Sequence, residues 1–167
     1  MKEGAVGTAA AKDLTKLGYL YRAELEQILP HRDRALKIDN VRILHDEEGR
    51  VAEIRAFKEI SSLDSDLRGH FERKLVYPGH CLVECAALAS AVLGFLLVGG
   101  EGVPLFAAIG PTRFKTPVLP GDEIRIMPTL LRRKGPIFIF EVKIYNQHDK
   151  LAVNTEITGA LAKIEEL

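Results

Sequence analysis

The segment from Gly69 to Glu84, GHFERKLVYPGHCLVE, carries the residues of this chain that are best suited to acid–base chemistry. His70 follows a glycine in a polar stretch, and an imidazole can accept a proton at physiological pH. Glu84 lies near the start of an almost wholly apolar run, where an isolated carboxylate is costly to bury. The carboxyl group must therefore stay protonated or face a polar cavity with partners, and both arrangements suit proton transfer.

Pro78-Gly79 stands between these two side chains and predicts the start of a helix. The backbone N–H groups around Gly79 and His80 would lack acceptors within that helix and would carry the positive end of its dipole. Such donors can hold a carbonyl oxygen and stabilise it as it becomes an oxyanion. A base, an acid and a carbonyl clamp together suit removal of a proton next to a carbonyl, followed by loss of a β-substituent.

Simpler interpretations of the same residues remain open. A lone loop histidine is structural in most proteins, and one acid in an apolar helix can be tolerated. His80 and Glu84 lie four residues apart, a spacing that metal ligands also use. Cys81 and Cys85 share the spacing on an adjacent face, so we expect two small hydrophobic residues and no metal site. The other histidines are expected in solvent at a helix end and in turns: His31, His45 and His148.

The composition is that of a soluble globular domain. The 167 residues contain 23 Lys plus Arg and 23 Asp plus Glu, so no net field recruits nucleic acid or an anionic membrane. Two cysteines and a small, polar N-terminal segment indicate neither a disulfide framework nor a secretory signal, and we expect a cytoplasmic protein. The apolar run from Cys81 to Val98 approaches the length of a membrane span, but Glu84, Ser90 and several alanines favour burial inside the protein.

Periodicity and turn signals predict one short helix, one long helix and a series of strands. The helices are Arg22 to Leu29, ended by Pro30, and Cys81 to Val98, ended by Gly99-Gly100. The strand-like segments are Ala35 to Leu44, Val51 to Ile60, Leu105 to Ile109, Arg113 to Val118, Glu123 to Leu131, Ile137 to Tyr145 and Leu151 to Leu161.

A helix that is apolar all round must be enclosed, and an antiparallel meander has one face to hide. The sequence therefore predicts an α+β hot-dog fold, in which a sheet of five to six strands wraps one long central apolar helix. Residues 1–20 are expected to form a flexible N-terminal tail. Residues 21–167 are expected to form a single domain, since neither repeats nor a linker interrupt them.

Three motifs together resemble the β-hydroxyacyl-acyl carrier protein dehydratases of fatty-acid synthesis. They are ILPHR, then GHF followed by PG and Glu84, and finally RFKTPVLPGD. The resemblance runs from about Tyr21 to Ile164, and the interval from His70 to Glu84 matches the family's spacing between its catalytic histidine and glutamate. The glutamate resembles the broad dehydratase branch, because the sister dehydratase–isomerase branch has an aspartate there.

The resemblance implies a (3R)-3-hydroxyacyl thioester on a phosphopantetheine arm as the substrate, and a trans-2-enoyl thioester and water as the products. His70 would take the C2 proton, Glu84 would protonate the departing C3 hydroxyl, and the Gly79 amide would hold the thioester carbonyl. In the family the histidine and glutamate meet across a dimer, trimers of dimers are common, and neither a metal nor an organic cofactor is needed.

The sequence departs from the family pattern around this pair. Glu72 to Leu75 replaces a usual Pro-Gly-Lys-Pro stretch, Asp33 to Ala35 replaces Tyr-Pro-Phe, and His80 stands where an apolar residue is usual. These changes favour dehydratase chemistry on a less usual acyl chain. Two alternatives stay open: a hot-dog acyl thioesterase, and a non-catalytic subunit that binds acyl carrier protein.

Docking of an acidic carrier protein would need a basic rim. Four basic residues are candidates for it, although each could equally be an exposed strand residue: Arg113, Lys115, Arg132 and Arg133.

Overall fold

The computed structural model describes residues 14–71, 73–100 and 102–162. Within these residues there are two α-helices, α1 (Arg22–Ile28) and α2 (Gly79–Leu97), and two short 3-10 helices, Asp33–Ala35 and Ser65–Leu67. The strands are β1 (Tyr19–Leu20), β2 (Asn40–His45), β3 (Val51–Glu59), β4 (Val103–Phe114), β5 (Glu123–Lys134), β6 (Ile137–Tyr145) and β7 (Leu151–Ala162).

The seven strands form one antiparallel sheet in the order β1-β2-β3-β5-β6-β7-β4, and α2 packs against β3 to β7. Alanines at positions 86, 87 and 89 keep the helix thin, so the strands approach it closely. The helix ends where Gly99 and Gly100 adopt positive φ angles of 76° and 89°. The Gly100 amide then donates to the Phe95 carbonyl at 3.0 Å, which satisfies one of the last carbonyls of the helix.

The predicted hot-dog arrangement of one central apolar helix wrapped by an antiparallel sheet is confirmed. The described sheet has seven strands instead of five to six, because Tyr19–Leu20 pairs with β2 as a short edge strand. The strand predicted from Ala35 starts later, since Asp33–Ala35 forms a 3-10 helix. The segment predicted at 105–109 lies within β4, whose register is irregular between Ile109 and Thr112. Of the strand predicted at 113–118, only the first two residues belong to β4, and residues 115–118 are not in a strand.

The strand order differs from the predicted meander. Among the strands that follow α2, only β5, β6 and β7 are neighbours in chain order, whereas β3 pairs with β5 and β4 pairs with β7. The reason is that α2 joins β3 to β4 and carries the chain across the sheet to its far edge. As a result, one side of β4 is an open sheet edge.

The ordered fold begins before the predicted domain boundary at residue 21. Leu14 and Leu20 are buried in the core, and Tyr19–Leu20 is a strand, so residues 14–20 are not a detached tail. Residues 1–13 and 163–167 lie outside the described residues, and the flexible tail stays a prediction for the first thirteen.

Helix α2 is long and apolar enough to cross a bilayer by length and composition. However, 72% of its most apolar window is buried inside the fold. This enclosure is the behaviour expected of the core helix of a globular protein.

Candidate active site

The His70 ring is held in one orientation by its own loop. Its Nδ1 atom lies 2.8 Å from the Val76 carbonyl oxygen. Because a carbonyl can only accept, Nδ1 carries the proton and donates it, which leaves the Nε2 lone pair free to act as a base. Phe71 supports the ring by an edge contact, with ring centroids 4.5 Å apart and planes at 84°.

The turn that presents His70 uses unusual backbone angles. Gly69 has φ +77°, and Phe71, which is not a glycine, has φ +57°. The left-handed conformation costs an L-residue about 1–2 kcal/mol. The chain tolerates this cost at the residue whose ring packs against His70, so the turn is shaped around that histidine.

A buried polar cluster anchors both sides of this loop. The Lys37 ammonium pairs with the Asp66 carboxylate, and the Tyr77 hydroxyl donates to the same carboxylate at 3.4 Å. Burial opposes the charge on Asp66, yet the hydrogen bond and attraction from Lys37 hold the pKa of that carboxyl below its ordinary value of 3.8. Asp66 precedes His70 in sequence and Tyr77 follows it, so the cluster fixes the loop at both ends.

The start of α2 presents two backbone donors. Pro78 is the N-cap, and its carbonyl accepts from the amides of Cys81 and Leu82 at 3.0 and 3.2 Å. No hydrogen bond among the described residues uses the amides of Gly79 and His80. A Cβ at Gly79 would lie 2.9 Å from the Phe114 ring, so the ring would have to shift to admit a larger residue. These two amides therefore have no acceptor among the described residues, and their role in holding a carbonyl oxygen stays a prediction.

Glu84 faces a largely apolar cavity of about 50 Å³. Its side chain is 36% exposed, so the carboxyl group is at the mouth of the cavity and is not sealed in the core. Small residues of α2, Ala87, Ala91 and Gly94, leave room along one wall, and Phe138 and Phe140 of β6 line it as well. The carboxyl group therefore lies at the entrance of a small, apolar cavity.

The sequence interpretation missed His31, which also lines this cavity. Its Nε2 lies 3.6 Å from Oε1 of Glu84, and its side chain is 32% exposed. The expectation of a solvated ring is therefore wrong for His31. It is also wrong for His45, whose Nε2 lies 2.7 Å from the Thr15 carbonyl oxygen, whereas His148 is exposed as expected. The ILPHR motif was the available signal for His31.

Within one chain, His70 does not line the cavity that Glu84 faces. The two sides of the predicted pair are presented by different surfaces, the loop before α2 and the second turn of α2. Their catalytic roles stay predictions.

The four predicted docking residues are all exposed but do not form one patch in the chain. Arg113 is paired with Asn154 near one end of the sheet, and Lys115 follows closely. Arg132 and Arg133 lie near the tip of the β5–β6 hairpin, at the same end of the sheet as Val103 of β4.

The two cysteines are buried and free, in agreement with a structural role. Burial raises the pKa of Cys81 to about 11 and that of Cys85 to about 12, so both thiols are protonated at neutral pH. No group of three or more His, Cys, Asp or Glu side chains within residues 14–71, 73–100 and 102–162 is arranged to hold a metal ion.

The fold and the cavity together define a hot-dog protein with a carboxyl group beside an apolar cavity. The structure is similar to the dehydratase heterocomplex ApeI:P from Xenorhabdus doucetiae, with a TM-score of 0.65, 17% identity and coverage of 85% of this chain and 93% of that one. It is also similar to the E. coli PaaI protein, with a TM-score of 0.57, 15% identity and coverage of 92% and 94%. At these identities the likeness shows the fold.

The chain belongs to the FabA-like family, whose domain matches residues 29–155. It is 35% identical over 150 residues to the 3-hydroxyacyl-(acyl-carrier-protein) dehydratase FabZ of Wolinella succinogenes, covering 86% of this chain and 96% of that protein. It is 42% identical over 105 residues to the FabZ of Escherichia coli, covering 60% of this chain and 66% of that protein.

Proposed function

We propose that this protein dehydrates (3R)-3-hydroxyacyl-(acyl carrier protein) to the trans-2-enoyl thioester in fatty-acid or related acyl-chain biosynthesis. The observation that carries the proposal is the Glu84 carboxyl at the mouth of an apolar cavity, one turn beyond the free amides that start α2. The FabZ relatives, which bear the name of this activity, support it.

The chemistry follows from the available groups. Nε2 of His70 takes the proton from C2, and the electron pair of the broken C–H bond forms the C2–C3 double bond. The C3–O bond breaks, and the leaving hydroxyl takes a proton from Glu84 and departs as water. The Gly79 amide donates to the thioester oxygen while negative charge develops there. Proton exchange with solvent then returns His70 and Glu84 to their starting states, and no metal or organic cofactor takes part.

A homodimer would complete this site. β4 is an edge strand with exposed apolar side chains at Phe106, Ile109 and Phe114, a surface that proteins normally cover. Antiparallel pairing of two β4 strands about a twofold axis would place the Phe114 end of one strand beside the Val103 end of the other. Phe114 contacts the start of α2, whereas the Val103 end borders the Glu84 cavity, so this pairing would bring the partner's His70 loop toward that cavity.

The same arrangement would place basic residues from both chains near one entrance. Arg113 and Lys115 of one chain would approach the sheet end that carries Arg132 and Arg133 of the other. We propose this combined rim as the docking surface for the acidic carrier protein, in a cytoplasmic enzyme. Charge reversal of either pair should weaken turnover of carrier-bound substrate while leaving a small thioester analogue unaffected.

The decisive experiment is a water-loss assay, read by mass, on carrier-bound (3R)-3-hydroxyacyl chains of several lengths. We expect wild type to form the enoyl thioester, and His70→Ala and Glu84→Gln each to lose about 10²–10⁴-fold in kcat. Equal rates for all three proteins would refute the assignment. Release of free thiol without enoyl product would indicate a thioesterase, and tight carrier binding without turnover would indicate a non-catalytic subunit.

A further inference from the structure

The turn that carries His31 is built to hold the residue in place. Helix α1 ends at Ile28, and Pro30 prevents its continuation. The Arg32 guanidinium then donates to the carbonyls of Glu26 and Leu29, at 2.8 and 2.7 Å, and to the His31 carbonyl at 2.8 Å. These bonds satisfy the last carbonyls of α1 and fix the backbone on both sides of His31. The histidine is therefore directed toward α2 by its own motif.

The surroundings of the ring determine where its proton lies. Nδ1 of His31 is buried and has no hydrogen-bond partner among the described residues, whereas Nε2 faces Oε1 of Glu84 at 3.6 Å. Nδ1 lacks a partner in either tautomer, so the contact at Nε2 decides between them. A proton on Nδ1 would turn the Nε2 lone pair toward the carboxylate oxygen, whereas the Nε2–H form turns a donor toward it. His31 therefore points a donor at Glu84.

We propose that His31 is a positioning residue that holds Oε1 of Glu84, so that Oε2 is left to deliver its proton to the C3 hydroxyl of the substrate. The inference rests on the proposed function, because it gives His31 no role apart from Glu84. The 3.6 Å separation is longer than a hydrogen bond and is expected to shorten when substrate fills the cavity. Loss of orientation by about 1 Å costs about 10²-fold in rate.

The test compares substitutions of His31 whose side chains extend to different distances toward Glu84. His31→Ala should lower kcat about 10–100-fold while KM changes by less than about threefold, because the carboxyl loses its orientation and the cavity keeps its walls. His31→Gln should recover most of that loss, because the Gln Nε2 amide donates from nearly the same distance. His31→Asn, whose amide is shorter, should resemble His31→Ala. His148→Ala, in an exposed turn, is the matched control and should leave kcat unchanged.

A second comparison separates positioning from a general structural effect. In a Glu84→Gln background, His31→Ala should change the residual single-turnover rate by less than about twofold, since residues that act as a unit are not additive. A full loss in that background, or His31→Gln as slow as His31→Ala, would overturn the proposal. If His31→Ala does not fold, the contrast between His31→Gln and His31→Asn decides alone.

The failure of this inference can be told from the failure of the proposed function. If Glu84→Gln keeps the wild-type rate, Glu84 is not the acid and both proposals fall. If Glu84→Gln is slow while all His31 variants match wild type, the dehydratase proposal stands and the role of His31 is rejected.

Discussion

Two clusters of ionisable side chains lie beside the first turns of α2, and they differ in how their polar groups are satisfied. On one side, Lys37, Asp66 and Tyr77 share hydrogen bonds and an ion pair, and the side chains of Lys37 and Asp66 are only 13% and 22% exposed. On the other side, Glu84 and His31 lie at a cavity mouth, about one third exposed, with their contact at 3.6 Å. We call Lys37, Asp66 and Tyr77 the closed cluster. Glu84 and His31 form the open cluster.

The difference indicates their roles. A paired polar group in a buried network resists change, because removing one partner leaves the other unsatisfied. A carboxyl group at the mouth of an apolar cavity has capacity left for a substrate. We therefore expect changes in the closed cluster to lower stability and changes in the open cluster to lower activity.

The largest expected effect is on the open cluster, which we propose is completed by a second chain. Mixing His70→Ala with Glu84→Gln, after dissociation and reassembly, should restore about a quarter of wild-type activity from two nearly inactive proteins. The reason is that a mixed dimer gathers both substitutions in one site and leaves the other intact. The rate of enoyl formation measures this, with each variant reassembled alone as the control. No recovery would place both residues in one chain's site.

A substitution in the closed cluster is expected to lower the stability of the fold. Asp66→Asn should lower the free energy of unfolding by an amount between about 1 kcal/mol, typical of an exposed pair, and about 3–5 kcal/mol, typical of a buried one. Urea unfolding at neutral pH measures this loss. Asp46→Asn is a matched control, because Asp46 pairs with Arg50 at the surface. A similar loss for both variants would contradict the contrast between the clusters.

The loss of stability caused by Asp66→Asn should also depend on pH. The pKa of Asp66 is lower in the folded chain than its ordinary value of 3.8, so its ionisation stabilises the fold above that value. This contribution is lost as the pH falls through the folded pKa. The difference in unfolding free energy between wild type and Asp66→Asn should therefore shrink as the solution is acidified. A difference that stays constant would mean that the ion pair is not its source.

A smaller effect is expected from substitution of Gly94, on the side of α2 that borders the cavity. Gly94 lines the cavity, and an added Cβ would make an ordinary contact at 3.5 Å with the Phe140 ring. Gly94→Ala should raise the free energy of unfolding by about 0.5–1 kcal/mol, because alanine favours a helix more than glycine does. It should also reduce kcat/KM for the longer acyl chains relative to short ones. Equal kcat/KM ratios would show that the acyl chain does not reach Gly94.

The smallest effect is expected in chemical labelling of the two thiols on the side of α2 that faces the closed cluster. Cys81 and Cys85 are buried, with pKa values raised to about 11 and 12, so iodoacetamide should not label them in the native protein at neutral pH. Labelling in urea, read by mass, is the control. Rapid native labelling of Cys81 would show that this side of the helix opens.

Much of the fold was predictable because its signals are local or compositional. The apolar run that contains Glu84, the Gly99-Gly100 stop and the strand periodicity predicted one enclosed helix and an antiparallel sheet. The position of β4 at the far edge was not predictable, because strand order depends on pairing between distant segments. The sequence did not predict β4 as one continuous strand, because Pro111 is typical of a strand break.

The candidate site, like the fold, was predictable from the sequence only in part. The type and spacing of His70, Gly79 and Glu84 pointed to acid–base chemistry beside a carbonyl. The contact of His31 with Glu84 and the anchoring of the loop by Lys37 join residues far apart in sequence, which no local pattern encodes.

The sequence by itself determined the chemistry that this chain can offer, because residue type and helix start are properties of short segments. Only the tertiary structure decided which groups have partners and which remain available, since packing brings distant side chains to bonding distance. That division made Asp66 an anchor and left Glu84 at an open cavity.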